Sequence, residues 1–314
     1  MKLFLFVILS IFLYSKESIV IFHAGSLSIP FAEIEKAFEN KYPQYDILRE
    51  ASGSRACARK ITDIKKAADI MASADYKVID NLLIPNYAKF NIQFATNEMV
   101  IAYTSKSKYS DIVNSKNWPI ILLKKNVKVG HSNPNLDPCG YRCMLVTKLA
   151  EKYYNIPDFF EKLFGYGESY ISGKEKREKV IVRPKETDLL ALLESGVYDY
   201  LYIYRSVAKQ HKLNFITLPK EINLGDASMQ NIYQTVSFKI TGKKPGEYII
   251  KKGSPMIYGI TIVDNGKDLP KNIQGAKMFI KFLLSDQGKQ IIQKNGQKFI
   301  SPPVMNGDVS KLEI

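Results

Sequence analysis

Three cysteines, three histidines and one tryptophan in 314 residues exclude several kinds of protein at once. Three thiols cannot all pair within one chain, so a disulfide framework is not what organises it. Cys139 and Cys143 stand four residues apart and could share a helix face, while Cys57 lies far away. Without a CxxC…CxxC array they make no structural zinc set, and buried thiols are the expectation. His23, His131 and His211 lack metal-ligand spacing such as HExxH. Neither GxSxG nor GxxxxGK[ST] occurs, which leaves nucleophilic hydrolysis and nucleotide chemistry without support. Glycine and proline, 18 and 14 residues, are at ordinary levels, so neither collagen nor low-complexity disorder applies. The apolar run Leu3–Leu13 is short for a membrane span, and Trp118–Leu123 is shorter still.

What is present is a compact composition, 46% apolar and 24% charged. Single cores stop growing near roughly 250–300 residues, so this length favours two lobes. Residues 1–17 place Lys2 before the run Leu3–Leu13, the pattern of an export signal; a buried N-terminal strand or helix is the alternative. No cysteine follows that could take a lipid, so anchorage at the outer face of the membrane is left open. The net charge of +14 admits nucleic acid, an anionic surface or a small anion as partner. The basic runs Lys124–Lys128 and Lys174–Lys179 are not interleaved with aromatics and no nucleic-acid motif appears, so they read as solvated surface.

Beyond the leader, short β-branched apolar runs alternate with helical periods, the sign of an α/β fold with a mostly parallel sheet. Ile19–Phe22 reads as a buried strand, and Pro30–Tyr42 as a helix carrying Phe31, Ile34, Phe38 and Tyr42 on one stripe. The unit recurs. Tyr45–Glu50 runs through Ala51-Ser52-Gly53-Ser54 into a helix; Val127–Gly130 runs through His131–Asp137 into a helix from about Cys139 to Tyr154. Val180–Arg183 leads through Pro184–Thr187 to Leu189–Glu194, and Tyr200–Tyr204 leads through Arg205-Ser206 to another short helix. Helix N-termini carry unsatisfied N–H groups and about half a positive charge, so such turns suit anions. Ligands of open α/β sheets sit beyond the carboxyl ends of the strands. Taken singly, Ser26, Ser54 and Ser206 each read as ordinary caps before they read as ligand donors. Thr241–Ser254 reads as a hairpin or flap, and Gly275–Gly296 as helical before an extended stretch to Pro303.

Five segments in order carry a family resemblance. They are His23-Ala24-Gly25-Ser26-Leu27, then Ala51-Ser52-Gly53-Ser54-Arg55 with Ala68–Asp75, Asp137-Pro138-Cys139-Gly140-Tyr141-Arg142, Arg183-Pro184-Lys185-Glu186, and Tyr204-Arg205-Ser206-Val207-Ala208. The chain resembles the molybdate-binding proteins of ABC importers, above all their archaeal molybdate/tungstate branch. The resemblance implies a two-lobed type II binding-protein fold with a hinge and a cleft between the lobes, no catalysis and no cofactor. It implies Ser18–Asn97 plus Val263–Ile314 as one lobe and Glu98–Ile262 as the other, with Met99–Tyr103 and Ile257–Val263 as the crossings. Site residues carried over are Gly25 and Ser26, Ser54, the backbone of Asp137, Pro138 and Cys139, Tyr204, and Glu186 eighteen residues before that tyrosine. The implied partners are the molybdate or tungstate oxyanion and a membrane permease, for a protein acting as a monomer outside the cell.

Asp137 and Glu186 are physically odd in that set, because two carboxylates in a dry cleft repel a dianion. The resemblance makes them ligands to the tungsten or molybdenum at the centre of the oxyanion, raising its coordination from four toward six. Both could instead be helix caps facing solvent. Sulfate or phosphate as ligand, an enzyme on the same scaffold, and the sensing domain of a transcription regulator are the competing readings.

Overall fold

The computed structural model describes residues 15–244, 246–264 and 272–312, and most of the expected leader lies outside them. The first strand, β1 (Glu17–Ala24), begins one residue inside that leader. It pairs in parallel with β2 (Tyr45–Ser52) and β3 (Ile70–Ser73). β4 (Phe90–Thr96), β12 (Ile257–Ile262) and β13 (Lys298–Gly307) complete a six-stranded sheet ordered β13-β4-β12-β3-β1-β2. A second sheet of five strands, ordered β7-β6-β8-β5-β9, contains β5 (Met99–Tyr103), β6 (Val129–Ser132), β7 (Val180–Arg183), β8 (Tyr200–Tyr204) and β9 (Asn214–Thr217). The hairpin β10 (Ser237–Thr241) and β11 (Tyr248–Lys252) stands apart from both.

β1 shows why the first sheet is covered on both faces. Successive side chains of a strand point to opposite faces, and Ile19 and Ile21 join Phe31, Ile34 and Phe38 of the helix Ser28–Lys41. Phe22 instead joins Cys57 and Ile61 of the helix Ser54–Thr62. The helical tail is two helices, Ile273–Leu284 and Asp286–Lys294, because Ser285 caps the second by accepting from Gly288 N–H. All three cysteines are free and buried. Among the described residues no helix is long and apolar enough to cross a membrane.

The chain passes between the sheets at Asn97–Glu98, between β4 and β5. It returns before Ile257, since β12 pairs with β3 and β4. Ile257–Ile262 therefore belongs with the first sheet, in contrast to the lobe boundary after Ile262. A short β-branched run is equally able to pair with either sheet, and only its partners decide. The hairpin also starts earlier than Thr241, because Phe238 and Ile240 alternate inward on its first strand.

Candidate functional site

The register of β1 on β2 puts Ala24 beside Ser52, so the turns at Gly25-Ser26 and Gly53-Ser54 leave the carboxyl edge of the sheet side by side. The turns after β6, β7 and β8 come from the second sheet to meet them. A Cβ on Gly25 would lie 2.9 Å from Glu186 Oε1, and one on Gly53 would lie 2.5 Å from the carbonyl oxygen of Leu136 and 3.0 Å from Asp137 Cβ. At Gly53, where the neighbour is backbone, only glycine permits this approach, and Ala56 N–H donates to that same Leu136 carbonyl across the seam. Arg55 and Arg59 extend the contact by donating to carbonyls of Asn135, Thr241 and Gly242.

Ser26, Ser54, Asp137, Glu186 and Tyr204 are all buried where these turns converge. Ser26 Oγ accepts from the Tyr258 hydroxyl at 3.0 Å, and Ser54 Oγ accepts from Ala74 N–H at 3.0 Å. Arg142 Nη1 donates to the Tyr204 hydroxyl and to the Ala74 carbonyl, both at 2.9 Å, and so ties the second sheet to the first. Asp137 is an N-cap, as the plainer reading allowed, yet it is buried: it accepts from Cys139 N–H at 3.1 Å and from Glu186 N–H at 2.9 Å.

The third turn departs from expectation as a source of backbone donors. Asp137 N–H is bound to Asn133, Pro138 has no N–H, and Cys139 N–H serves the Asp137 carboxylate. Pro138 and Cys139 shape the first turn of the helix Pro138–Tyr153, and they bring no free N–H to the centre.

Glu186 caps nothing. Both carboxylate oxygens are buried and receive no hydrogen bond, and the carboxyl stands against that of Asp137, to which it donates when protonated. Burial, then the charge of Asp137, pushes its carboxyl well above the usual range. Asp137 is also raised by burial, an effect opposed by the hydrogen bonds it receives. Among the described residues no third His, Cys, Asp or Glu joins them as a set able to hold a free metal ion. Two carboxylates alone would need the ligand's own oxygens to complete a metal's coordination.

His23 and His131 begin their turns as packing groups. Each donates Nδ1–H to a neighbouring carbonyl, His131 also meets the Tyr166 hydroxyl, and burial lowers both to about 4. Neither brings positive charge to the site. That charge comes from Arg142, Lys251 and Arg55, all buried, set around Asp75. Lys251 Nζ pairs with Asp75 Oδ2 at 2.8 Å and the Tyr141 hydroxyl donates to the same oxygen at 2.5 Å. Burial alone would raise Asp75, but the charges of Lys251 and Arg142 hold it well below the usual carboxylate range. A cavity of ≈ 620 Å³ opens beyond this cluster, walled in part by Asp75, Arg142 and Lys251. Arg142 was visible in the Asp137–Arg142 segment without an assigned role. Nothing in the local sequence marked Tyr258 or Lys251.

The family described as bacterial extracellular solute-binding protein matches residues 19–298. The chain belongs to that family. Its relatives are solute-binding proteins, not enzymes. A solute-binding protein of Petrotoga mobilis is 52% identical over 285 residues, 91% of this chain and 84% of the relative. A molybdate/tungstate-binding protein of Pyrococcus abyssi is 48% identical over 308 residues, 93% of this chain and 87% of the relative. Among solved structures, the periplasmic molybdate-binding protein of Azotobacter vinelandii superposes with a TM-score of 0.61 at 13% identity, over 90% of this chain and 99% of that one. The sulfate-binding protein SubI of Mycobacterium tuberculosis gives 0.60 at 13%, over 91% and 88%. The solute-binding protein thus has the two-lobed type II periplasmic-binding fold, with its buried serines, tyrosine and carboxylates at the meeting of the two sheets.

Proposed function

We propose that this protein captures molybdate or tungstate outside the cell and delivers it to the membrane permease of an ABC importer, acting as a monomer. The observation that carries the reading is Glu186, a buried carboxylate whose two oxygens receive no hydrogen bond, set beside the Asp137 carboxyl among hydroxyls whose oxygens already accept from the protein. Ser26, Ser54 and Tyr204 have protons left to give to the ligand's oxygens. Glu186 and Asp137 have oxygens to give to its central metal. Sulfur in sulfate does not readily expand its coordination, so the same pair attracts one anion and repels the other. The identity to a molybdate/tungstate-binding protein supports this reading.

A second reading rests on the same glutamate. A carboxylate that receives no hydrogen bond could accept the proton of a protonated oxyanion such as hydrogen phosphate. Calorimetric titration with tungstate, molybdate, sulfate and phosphate in parallel separates the two: tight tungstate and molybdate binding supports the first, and phosphate alone overturns it.

Two further results are expected with tungstate. Ser54→Ala removes one hydrogen bond to a charged ligand, worth about 1.5–3 kcal/mol, and should weaken binding roughly tenfold to a hundredfold. Unchanged affinity in both Ser26→Ala and Ser54→Ala would reduce these serines to turn formers. Tyr204→Phe should weaken binding by about the same factor and leave the melting curve of the free protein nearly in place, since Arg142 keeps its bond to Ala74. A collapsed fold with undiminished binding in the surviving fraction would count against it.

A further inference from the structure

The three hydroxyls assigned to the oxyanion each accept a hydrogen bond from inside the protein, and what donates that bond decides what the hydroxyl can do. Ser54 accepts from a backbone N–H and Tyr204 from a guanidinium. Neither donor can accept in return, so each hydroxyl's single proton is directed elsewhere. Ser26 is different. Its partner is another hydroxyl, Tyr258, 3.0 Å away, and in an isolated pair either oxygen could donate.

Asn97 removes that freedom. Its Oδ1 accepts from Glu98 N–H at 3.0 Å and from Ser206 N–H at 3.4 Å. A backbone N–H only donates, so these contacts assign the oxygen end of the amide. Nδ2 then faces the Tyr258 hydroxyl at 3.0 Å and Ser206 Oγ at 2.7 Å. With its oxygen accepting from Asn97, Tyr258 donates to Ser26, and Ser26 keeps its own proton for the ligand. Gln297 Nε2 holds the same turn through the Ser26 carbonyl at 3.1 Å.

We propose that Asn97 is a positioning residue that polarises the chain Asn97 to Tyr258 to Ser26, making Ser26 an obligate donor to an oxyanion oxygen that carries no proton. This rests on the oxyanion-binding function proposed above. Asn97 sits where the chain first passes between the sheets, and Tyr258 follows the return crossing. The polarity of Ser26 is therefore tied to the two crossings being held together.

Asn97→Asp tests the idea with almost no change of shape. The introduced carboxylate has no proton to give, so Tyr258 must donate to it, and Ser26 must in turn donate to Tyr258 and not to the ligand. Titration with whichever of tungstate, molybdate, sulfate or phosphate the wild type binds most tightly should show a loss of about tenfold to a hundredfold. Adding Tyr258→Phe frees Ser26 and should restore roughly threefold or more of that loss. In a Ser26→Ala background the Asn97→Asp penalty should shrink by a similar factor. A penalty that is the same with and without Tyr258→Phe and Ser26→Ala would mean that Asn97 acts through charge or packing alone, and the proposal fails. Should Asn97→Asp not fold, Tyr258→Phe alone serves: it should cost about two- to fivefold with Ser26 present and nothing after Ser26→Ala, and equal costs overturn the proposal. If the wild type binds none of the four anions, the proposed function itself falls, a result distinct from a bound anion with an uncoupled Asn97.

Discussion

Glu186→Gln is expected to lower tungstate affinity by about thirty- to a hundredfold, about 2–3 kcal/mol, and to raise sulfate affinity. Glutamine keeps the size and one oxygen but replaces an anionic metal ligand with a weak neutral one. For sulfate, measured at a pH above the raised Glu186 value so that the carboxyl is ionised, the same change removes a repulsion that, for unit charges ~4 Å apart at an effective dielectric near 20, reaches about 4 kcal/mol. The double change Asp137→Asn with Glu186→Gln should narrow the gap between the two anions from both sides. Equal losses for both anions would make the carboxylates structural. X-ray absorption on the tungstate complex gives an independent count, since four equal W–O distances with no longer pair would also remove the metal-ligand role.

The pH dependence carries a sign. Burial and Asp137 raise the Glu186 carboxyl well above its ordinary range, so without ligand it holds a proton where a free glutamate, near ~4.3, has lost it. Coordination to a metal expels that proton. Tungstate affinity should therefore rise with pH until the raised value is passed, whereas an anion that is hydrogen-bonded by the protonated acid should bind more weakly as pH rises. In the free protein, a raised folded value means stability that is present in acid and lost as pH rises through it. Glu186→Gln should abolish this decline, and its melting temperature should exceed that of the wild type at the alkaline end. A parallel pH profile in the two proteins would contradict the assignment.

Asp75→Asn should be the most damaging single change to stability. It leaves Lys251 and Arg142 buried without the carboxylate that faces them. Removing one partner of a buried ionic cluster costs about 3–5 kcal/mol, which corresponds to a melting temperature about 5–8 °C lower in a chain of this size. Adding Lys251→Met removes a stranded charge and should return part of the loss. The sign with pH is opposite to that of Glu186: a depressed folded value means stability present above the ordinary carboxylate range and lost as pH falls through the folded value. The wild type should show this acid limb and Asp75→Asn should lack it. Because Asp75 follows the first sheet while Tyr141, Arg142 and Lys251 come from the other side, ligand affinity should fall together with stability. A variant as stable as the wild type would mean that water or another group compensates the two cations.

The strands and turns were legible because they depend on near neighbours. Val180–Arg183 and Tyr200–Tyr204 end where their apolar runs end, and Gly25-Ser26 and Gly53-Ser54 stand at the N-termini of helices whose apolar stripes are plain in the sequence. The resemblance could place Asp137 and Glu186 at a site, but not say that Asp137 would take up the Cys139 N–H while Glu186 received no hydrogen bond. Those facts depend on groups 49 residues apart meeting across a seam. The boundary that put Ile257–Ile262 in the second lobe misses its pairing with the first sheet for a similar reason, since a β-branched run carries its pairing capacity but not its partner. Asn97, Tyr258 and Ser26 show the limit most clearly, being separated by 161 and 232 residues along the chain. Local periodicity determined which segments would be strands and helices, because burial repeats every two or 3.6 residues. Which hydroxyl donates, which carboxylate is left bare and which cation faces Asp75 were decided only by tertiary contact, because a hydrogen bond's direction is a property of the whole chain of partners and not of any residue in it.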